Sequence, residues 1–367
     1  KRAQGSGVMY TLPRQSTERS KFMKHEENVA HFAKIYYNGT IERGKTASKE
    51  DGVMKIVLLD YGSLGPEIDL SPIENAGELT AYEITTTEQL PHRIRTADVV
   101  ITNKLKMNRH TLEAAENLKL ICVTATGYDN VDLSYCTERN IAVCNVPGYS
   151  TDSVAQLTLA IVLALSTHLV AYRDHVHSGL YSRSGSPNLL APVWHELAGR
   201  TWGIVGCGNI GRKVAAVAAA LGCKVLVYRR NPDPDYETVD LDTLLRESDV
   251  VTAHLPLNDE TRGIISREKI ALMKKNAVFV NVARGAVADE EALAHAIETQ
   301  TIGGLGVDVY AKEPMPTDHP YNRILDRPNV ILTPHSAWGA QEARNRCIRE
   351  VAENINAFFR GERRNRC

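Results

Sequence analysis

The chain has 367 residues, 43% apolar and 24% charged, with a formal net charge of −1. Length predicts about two domains, and the composition is that of a folded chain with a substantial core. With 43 basic against 44 acidic side chains there is no cationic excess to neutralise a phosphate backbone, which excludes a dedicated nucleic-acid binder.

The longest apolar run, residues 157–165, is far short of the roughly 20 residues that cross a bilayer, and the amino end carries no apolar stretch of the secretory type. No membrane partner is expected. The seven cysteines are scattered, odd in number and without a C-x-x-C pair. Free thiols in a reducing, cytoplasmic compartment follow, and neither a metal site nor a disulfide framework is supported.

Residues 1–53 lack a sustained apolar period. Glu18, Glu26, Glu27, Glu42, Glu50 and Asp51 argue against a transit peptide. Lys49-Glu50-Asp51 is a tripeptide that a ribosome-binding purine string ahead of Met54 would encode. Residues 1–53 are therefore expected to be a disordered, upstream-translated extension. From residue 55 the texture changes. Strands are predicted at 55–60, 97–102, 118–124 and 141–144, then at 201–206, 224–228, 249–254, 277–282, 304–308 and 330–333. Many of these runs are apolar throughout, as suits parallel strands covered on both faces. Helices are predicted at 153–166 and 213–221, and after Asp289, which caps a segment opening on Glu290 and Glu291. Residues 178–194 read as a surface arm or loop.

Thr201-Trp-Gly-Ile-Val-Gly206 runs into Gly206-Cys-Gly208-Asn-Ile-Gly211 and then a helical stretch. This is G-x-G-x-x-G between a strand and a helix, the dinucleotide phosphate loop. The helix amino end offers free N–H groups and positive dipole to a pyrophosphate. An NAD site places an acid at the end of the next strand. This chain has Tyr228-Arg229-Arg230-Asn231 there, so Arg229 and Arg230 predict NADP(H) preference. The alternative is that both are solvated and NAD(H) is accepted as well.

Three charged residues follow predicted strands, where open α/β sheets bind ligands: Arg284 in Val-Ala-Arg-Gly, Glu313 before Pro314, and His335 after Pro334. Together they suit a 2-oxo acid. Arg284 can hold the carboxylate and carbonyl oxygen through its fork. His335 can give or take the proton at that oxygen, and Glu313 can orient and charge the imidazole.

Over residues 54–367 these motifs, with Ala125-Thr126-Gly127-Tyr128-Asp129 and Asp308, resemble the D-isomer-specific 2-hydroxyacid dehydrogenases. The stretch 144–155 and the His335-Ser-Ala-Trp338 ending look most like its glycerate dehydrogenase, or hydroxypyruvate reductase, branch. The resemblance implies an α/β fold of two Rossmann-like or flavodoxin-like parallel-sheet domains. The dinucleotide-binding domain, 153–335, would be inserted into a substrate domain made of 54–152 and 336–367. It implies an NAD(P)-dependent oxidoreductase that is a homodimer and closes over its cleft. Arg284, Glu313 and His335 would be catalytic. Thr126 and Gly127 would bind the substrate carboxylate. Asn209 and Ile210 would contact the pyrophosphate, with Val282 and Asp308 near the cofactor.

Asn103 and Lys104 follow a strand and could face substrate or simply end it. Trp338 could wall the substrate or pack at the domain junction. Two other readings stay open. One is a dehydrogenase of D-lactate or of branched 2-hydroxy acids of the D series. The other is a non-enzymatic, dinucleotide-sensing corepressor-like module.

Overall fold

The computed structural model describes residues 53–65 and 67–367. The expectations for the amino-terminal extension lie outside the described residues, save for Val53.

Two parallel sheets form the molecule. The first holds β1 (Lys55–Leu58), β2 (Glu78–Ala81), β3 (Val99–Thr102), β4 (Leu120–Val123) and β5 (Ala142–Cys144), in the order β2-β1-β3-β4-β5. The second holds β6 (Thr201–Val205), β7 (Lys224–Tyr228), β8 (Glu237–Thr238), β9 (Val250–Ala253), β10 (Val278–Asn281), β11 (Gly304–Val307) and β12 (Val330–Leu332), in the order β12-β11-β10-β9-β6-β7-β8. All pairings between these strands are parallel. The central strands β3, β4, β9, β10 and β11 are buried along their whole length. Helices cover both faces, which is why these strands are continuous apolar runs.

The sequence pattern misses β2 and β8. β2 is a partly exposed edge with no apolar run, and β8 is two residues long. Neither shows a pattern that a period can detect.

Helix α1 (Thr151–Ser166) leaves the first sheet and packs on the second through Ile161, Val162 and Leu165. Helix α2 (Leu169–His177) follows, bent from α1 by 65°. Helix α3 (Asn209–Ala220) joins β6 to β7, and α4 (Glu290–Glu298) joins β10 to β11. Helix α5 (Gln341–Phe359) returns to the first sheet. Its Ala343, Cys347, Ile348, Val351 and Ile355 stripe lies in the core formed by β1, β3, β4 and β5. The second α/β unit is thus inserted into the first. No single helix among the described residues is long and apolar enough to cross a membrane.

Each sheet reverses its strand order once, at β1/β3 in the first and β6/β9 in the second. Ligand crevices of open α/β sheets lie outside the carboxyl ends at such points. The functional residues are therefore sought there.

Candidate active site

The phosphate loop leaves β6 at Gly206, whose φ of +96° is a backbone state that side chains rarely adopt. A Cβ on Gly211 would collide with the Gly206 carbonyl oxygen, so only glycine lets α3 start this close to β6. A Cβ on Gly208 would meet nothing within 4 Å, so that flank of the turn is open. Gly208 is the N-cap of α3, and Asn209 and Ile210 are its first two residues. Their N–H groups have no intrahelical acceptor and point out of the helix end.

Beside this turn sits His254, after β9. Its Nε2 bonds the Thr252 hydroxyl at 3.0 Å, and its buried Nδ1 has no partner. Burial lowers its pKa to about 3, so the ring is neutral. An open glycine turn, free helix N–H groups and an orphaned ring nitrogen together fit a dinucleotide.

At the end of β7 the structure adds a residue that the sequence does not single out. Arg229 Nη1 bonds Asp233 Oδ2 at 2.5 Å, and the same oxygen accepts Arg212 Nη2 at 2.5 Å. The Asp233 side chain is fully covered. Desolvation raises its pKa, but the Asp235 N–H and the two guanidinia win and bring it to about 2. It is an ionised anchor that holds Arg229 in place. No sequence signal marks it, because it lies in the following loop, not at the strand end. Arg230 instead points to solvent and pairs with exposed Glu260 at 2.7 Å. Val282 is a buried member of the core under α1.

His335 and Glu313 meet directly: His335 Nδ1 lies 2.7 Å from Glu313 Oε2. Glu313 Oε1 accepts the Tyr310 N–H at 3.1 Å. Partial burial raises the Glu313 pKa, but the His335 hydrogen bond and charge, the Tyr310 N–H and Lys104 outweigh it, and the net shift is downward. An ionised Glu313 accepts from Nδ1–H and leaves Nε2 to face a substrate.

His335 adopts a left-handed φ of +52°, a strained state for a residue other than glycine. Asp308 holds it there. The His335 N–H donates to the Asp308 carbonyl at 2.8 Å. The fully buried Asp308 carboxylate accepts the Ser336 N–H at 2.8 Å, the Ala337 N–H at 2.9 Å and the Thr333 hydroxyl at 2.6 Å. The Asp308 oxygens thus cap the loop behind His335.

Arg284 follows β10, and its loop is tied by Asn281, which donates to the Arg284 carbonyl at 2.9 Å. Its Nη1 bonds the Ala283 carbonyl at 2.9 Å and its Nη2 lies 3.8 Å from Asp129 Oδ1. The guanidinium presses on Gly127, where a Cβ would collide with Nη2. Among the described residues the N–H groups of Thr126 and Gly127 find no acceptor, while the Thr126 hydroxyl donates to the Val146 carbonyl at 3.1 Å. Lys104 completes the ring, with Nζ 3.9 Å from Glu313 Oε2. The carboxyl ends of the two sheets thus bring Lys104, Thr126 and Gly127 against Arg284, Glu313 and His335.

Asn103 and Trp338 make contacts within the fold. Asn103 is buried, with its Nδ2 donating to the Ser63 hydroxyl at 3.2 Å. Trp338 packs against the cores of both sheets and stands edge-on to Tyr149 at 6.4 Å. It packs at the domain junction. Among the described residues no group of three or more His, Cys, Asp or Glu could hold a metal ion.

Comparison with known proteins agrees with this geometry. Residues 159–337 match the profile of the D-isomer specific 2-hydroxyacid dehydrogenase NAD binding domain. The chain is 36% identical over 317 residues to hydroxypyruvate reductase from Blautia hydrogenotrophica, covering 84% of this chain and 98% of that protein. It is 36% identical over 312 residues to glycerate dehydrogenase from Methylorubrum extorquens, covering 85% and 98%. The solved D-lactate dehydrogenase of Aquifex aeolicus, complexed with NAD and lactic acid, superposes with a TM-score of 0.74 at 30% identity, covering 84% of this chain and 96% of that one. The fold and these relatives define an oxidoreductase that uses a nicotinamide dinucleotide on a CH–OH group. The chain belongs to the D-isomer-specific 2-hydroxyacid dehydrogenase family.

The loop behind His335 generates a test. Asp308→Asn removes one acceptor and leaves a buried N–H unmet, a loss of about 1–3 kcal/mol. Urea unfolding is expected to shift by that amount and kcat to fall. An unchanged unfolding midpoint with unchanged kcat contradicts the role given to Asp308.

Proposed function

We propose that the protein is a cytoplasmic, NADPH-preferring reductase of small 2-oxo acids, with hydroxypyruvate and glyoxylate as substrates and D-glycerate and glycolate as products. The observation that carries this reading is the Glu313–His335 pair at 2.7 Å, facing an arginine pinned against Gly127. Arg284 and the N–H groups of Thr126 and Gly127 take the substrate carboxylate. The second arm of the Arg284 fork polarises the C2 oxygen. When bound, the reduced nicotinamide supplies a hydride to C2. His335 gives its Nε2 proton to the C2 oxygen as the carbonyl becomes an alcohol. Glu313 accepts the Nδ1–H hydrogen bond and orients the ring. The amides of Gly208, Asn209 and Ile210 hold the pyrophosphate, and Arg229, fixed by Asp233, takes the ribose 2′-phosphate. The names of the relatives support the substrates, and Arg229 supports the cofactor preference.

The functional assay is cofactor oxidation with hydroxypyruvate and glyoxylate, using NADPH and NADH side by side. Turnover with hydroxypyruvate, faster with NADPH, is expected. Arg229→Asp should lower the NADPH:NADH ratio of kcat/KM by about tenfold or more, because a carboxylate repels the 2′-phosphate that the fork binds. An unchanged ratio contradicts the cofactor assignment. Absence of turnover on every 2-oxo acid, with dinucleotide-dependent capture of a partner, would favour the sensor reading.

Glu313 sets a pH dependence. Its lowered pKa keeps the pair intact above the ordinary carboxylate range, and the pair is lost as pH falls through that lowered value. Glu313→Gln removes the negative charge, so the imidazolium needed for reduction is held less well. The kcat/KM of reduction should fall about a hundredfold or more. An unchanged kcat/KM contradicts Glu313 as the partner of the acid/base group.

We also propose a homodimer built on the arm after α1. Leu169, Leu190, Val193 and Trp194 are 59%, 81%, 70% and 47% exposed, and such an apolar surface marks an interaction site. Sedimentation velocity is expected to give a dimer, and Leu190→Glu with Val193→Glu a monomer. A wild-type monomer at micromolar concentration contradicts this.

A further inference from the structure

Arg284, the Thr126 and Gly127 amides and His335 account for C1 and the C2 oxygen of a 2-oxo acid, and the hydride donor covers one face of C2. The remaining substituent of C2 is C3. One side chain facing the site has no task in that scheme.

Lys104 lies after β3, at the β1/β3 reversal of the first sheet, the crevice where such sheets take ligands. Its backbone is fixed from both sides. The buried Asp60 carboxylate accepts the Asn103 N–H at 3.0 Å and the Lys104 N–H at 2.9 Å. Asn130 Nδ2 donates to the Leu105 carbonyl at 2.8 Å. The ammonium, by contrast, makes no hydrogen bond among the described residues. Its nearest carboxylate oxygen, Glu313 Oε2 at 3.9 Å, is already engaged by His335 at 2.7 Å. Partial burial and the neighbouring Arg284 lower the Lys104 pKa, against the pull of Glu313, Asp129 and Asp60. A donor on a rigid loop with no acceptor of its own gains most from one that a ligand brings.

We propose that Lys104 binds an oxygen on C3 of the substrate, so that the site selects 2-oxo acids with a C3 hydroxyl or phosphate over those ending in a methyl group. The inference rests on the 2-oxo acid reading above and names the part of the substrate that reading leaves open. Lys104 is then the specificity-determining residue. The two sources of the C3 oxygen differ in charge and are separated by assay.

The test uses the purified full-length protein with NADPH and four substrates: hydroxypyruvate, 3-phosphohydroxypyruvate, pyruvate and glyoxylate. The wild type is expected to favour one C3-oxygenated substrate over pyruvate by about tenfold or more in kcat/KM, the range of a hydrogen bond to a charged group. Which of the two is favoured tells hydroxyl from phosphate. Lys104→Met should cut that preference at least tenfold, and Lys104→Arg should restore part of it. Fluorescence quenching with NADPH bound gives a readout independent of turnover. Tartronate, which carries C3 oxygens, should lose more affinity in Lys104→Met than oxamate, which has none. Thermal unfolding of each variant controls for folding.

Equal losses on all four substrates, with tartronate and oxamate weakened alike, would overturn the proposal and leave Lys104 acting through Glu313. Equal wild-type rates on pyruvate and hydroxypyruvate would overturn it as well, while the reductase reading stands. No wild-type turnover on any of the four defeats the reductase reading itself.

Discussion

The buried carboxylate of Asp308 is the interaction on which the site depends. It accepts two backbone N–H groups and a hydroxyl from residues 333–337, and its own carbonyl accepts the His335 N–H. These bonds hold His335 in a left-handed backbone state that an exposed loop would abandon. That state brings the imidazole to Glu313. Both residues come from the carboxyl side of the second sheet, one after β11 and one after β12. The acid/base pair is therefore a product of the parallel topology, with a single buried anion as its clamp.

The first sheet answers with a matching device. Asp60, after β1, caps the Asn103 and Lys104 N–H groups after β3, as Asp308 caps the loop after β12. In each sheet a buried aspartate fixes a loop that presents a functional side chain. The two loops meet where Lys104 faces Glu313 and Arg284 presses on Gly127. Three basic side chains and one committed carboxylate then surround the space for an anionic substrate, with the backbone amides of Thr126 and Gly127 adding to the same field. The positive character is local, since the whole protein carries a net charge of only −1.

Much of this is legible in the sequence, for physical reasons. Strand, glycine turn and helix must follow one another for a phosphate loop to work, so Gly206, Gly208 and Gly211 announce themselves. Arginine, glutamate and histidine directly after apolar strands stand out because strand ends are where a parallel sheet meets its ligand. Other roles depend on contacts between distant segments, which no local pattern carries. Asp233 reaches back to Arg229 and Arg212 from a loop. Asn103 and Trp338 look like pocket residues by position, yet one bonds Ser63 and the other fills the seam between two cores. Asp308 caps the loop behind His335 through contacts that no local pattern carries. Edge strands β2 and β8 leave no period to read, because an edge strand is neither fully buried nor long. The common physical reason is that hydrophobic period reports burial of an element, whereas the aim of a polar side chain is set by tertiary hydrogen bonds.

The central claim is that a hydride and the His335 proton are added to one face and one oxygen of a 2-oxo acid held by Arg284. Its most direct test is the configuration of the product. Hydroxypyruvate reduced by the purified protein with NADPH should yield glycerate that chiral chromatography resolves as the D-isomer alone. L-glycerate, or a mixture of the two, would contradict the account, because the substrate would then lie in the site in a different orientation.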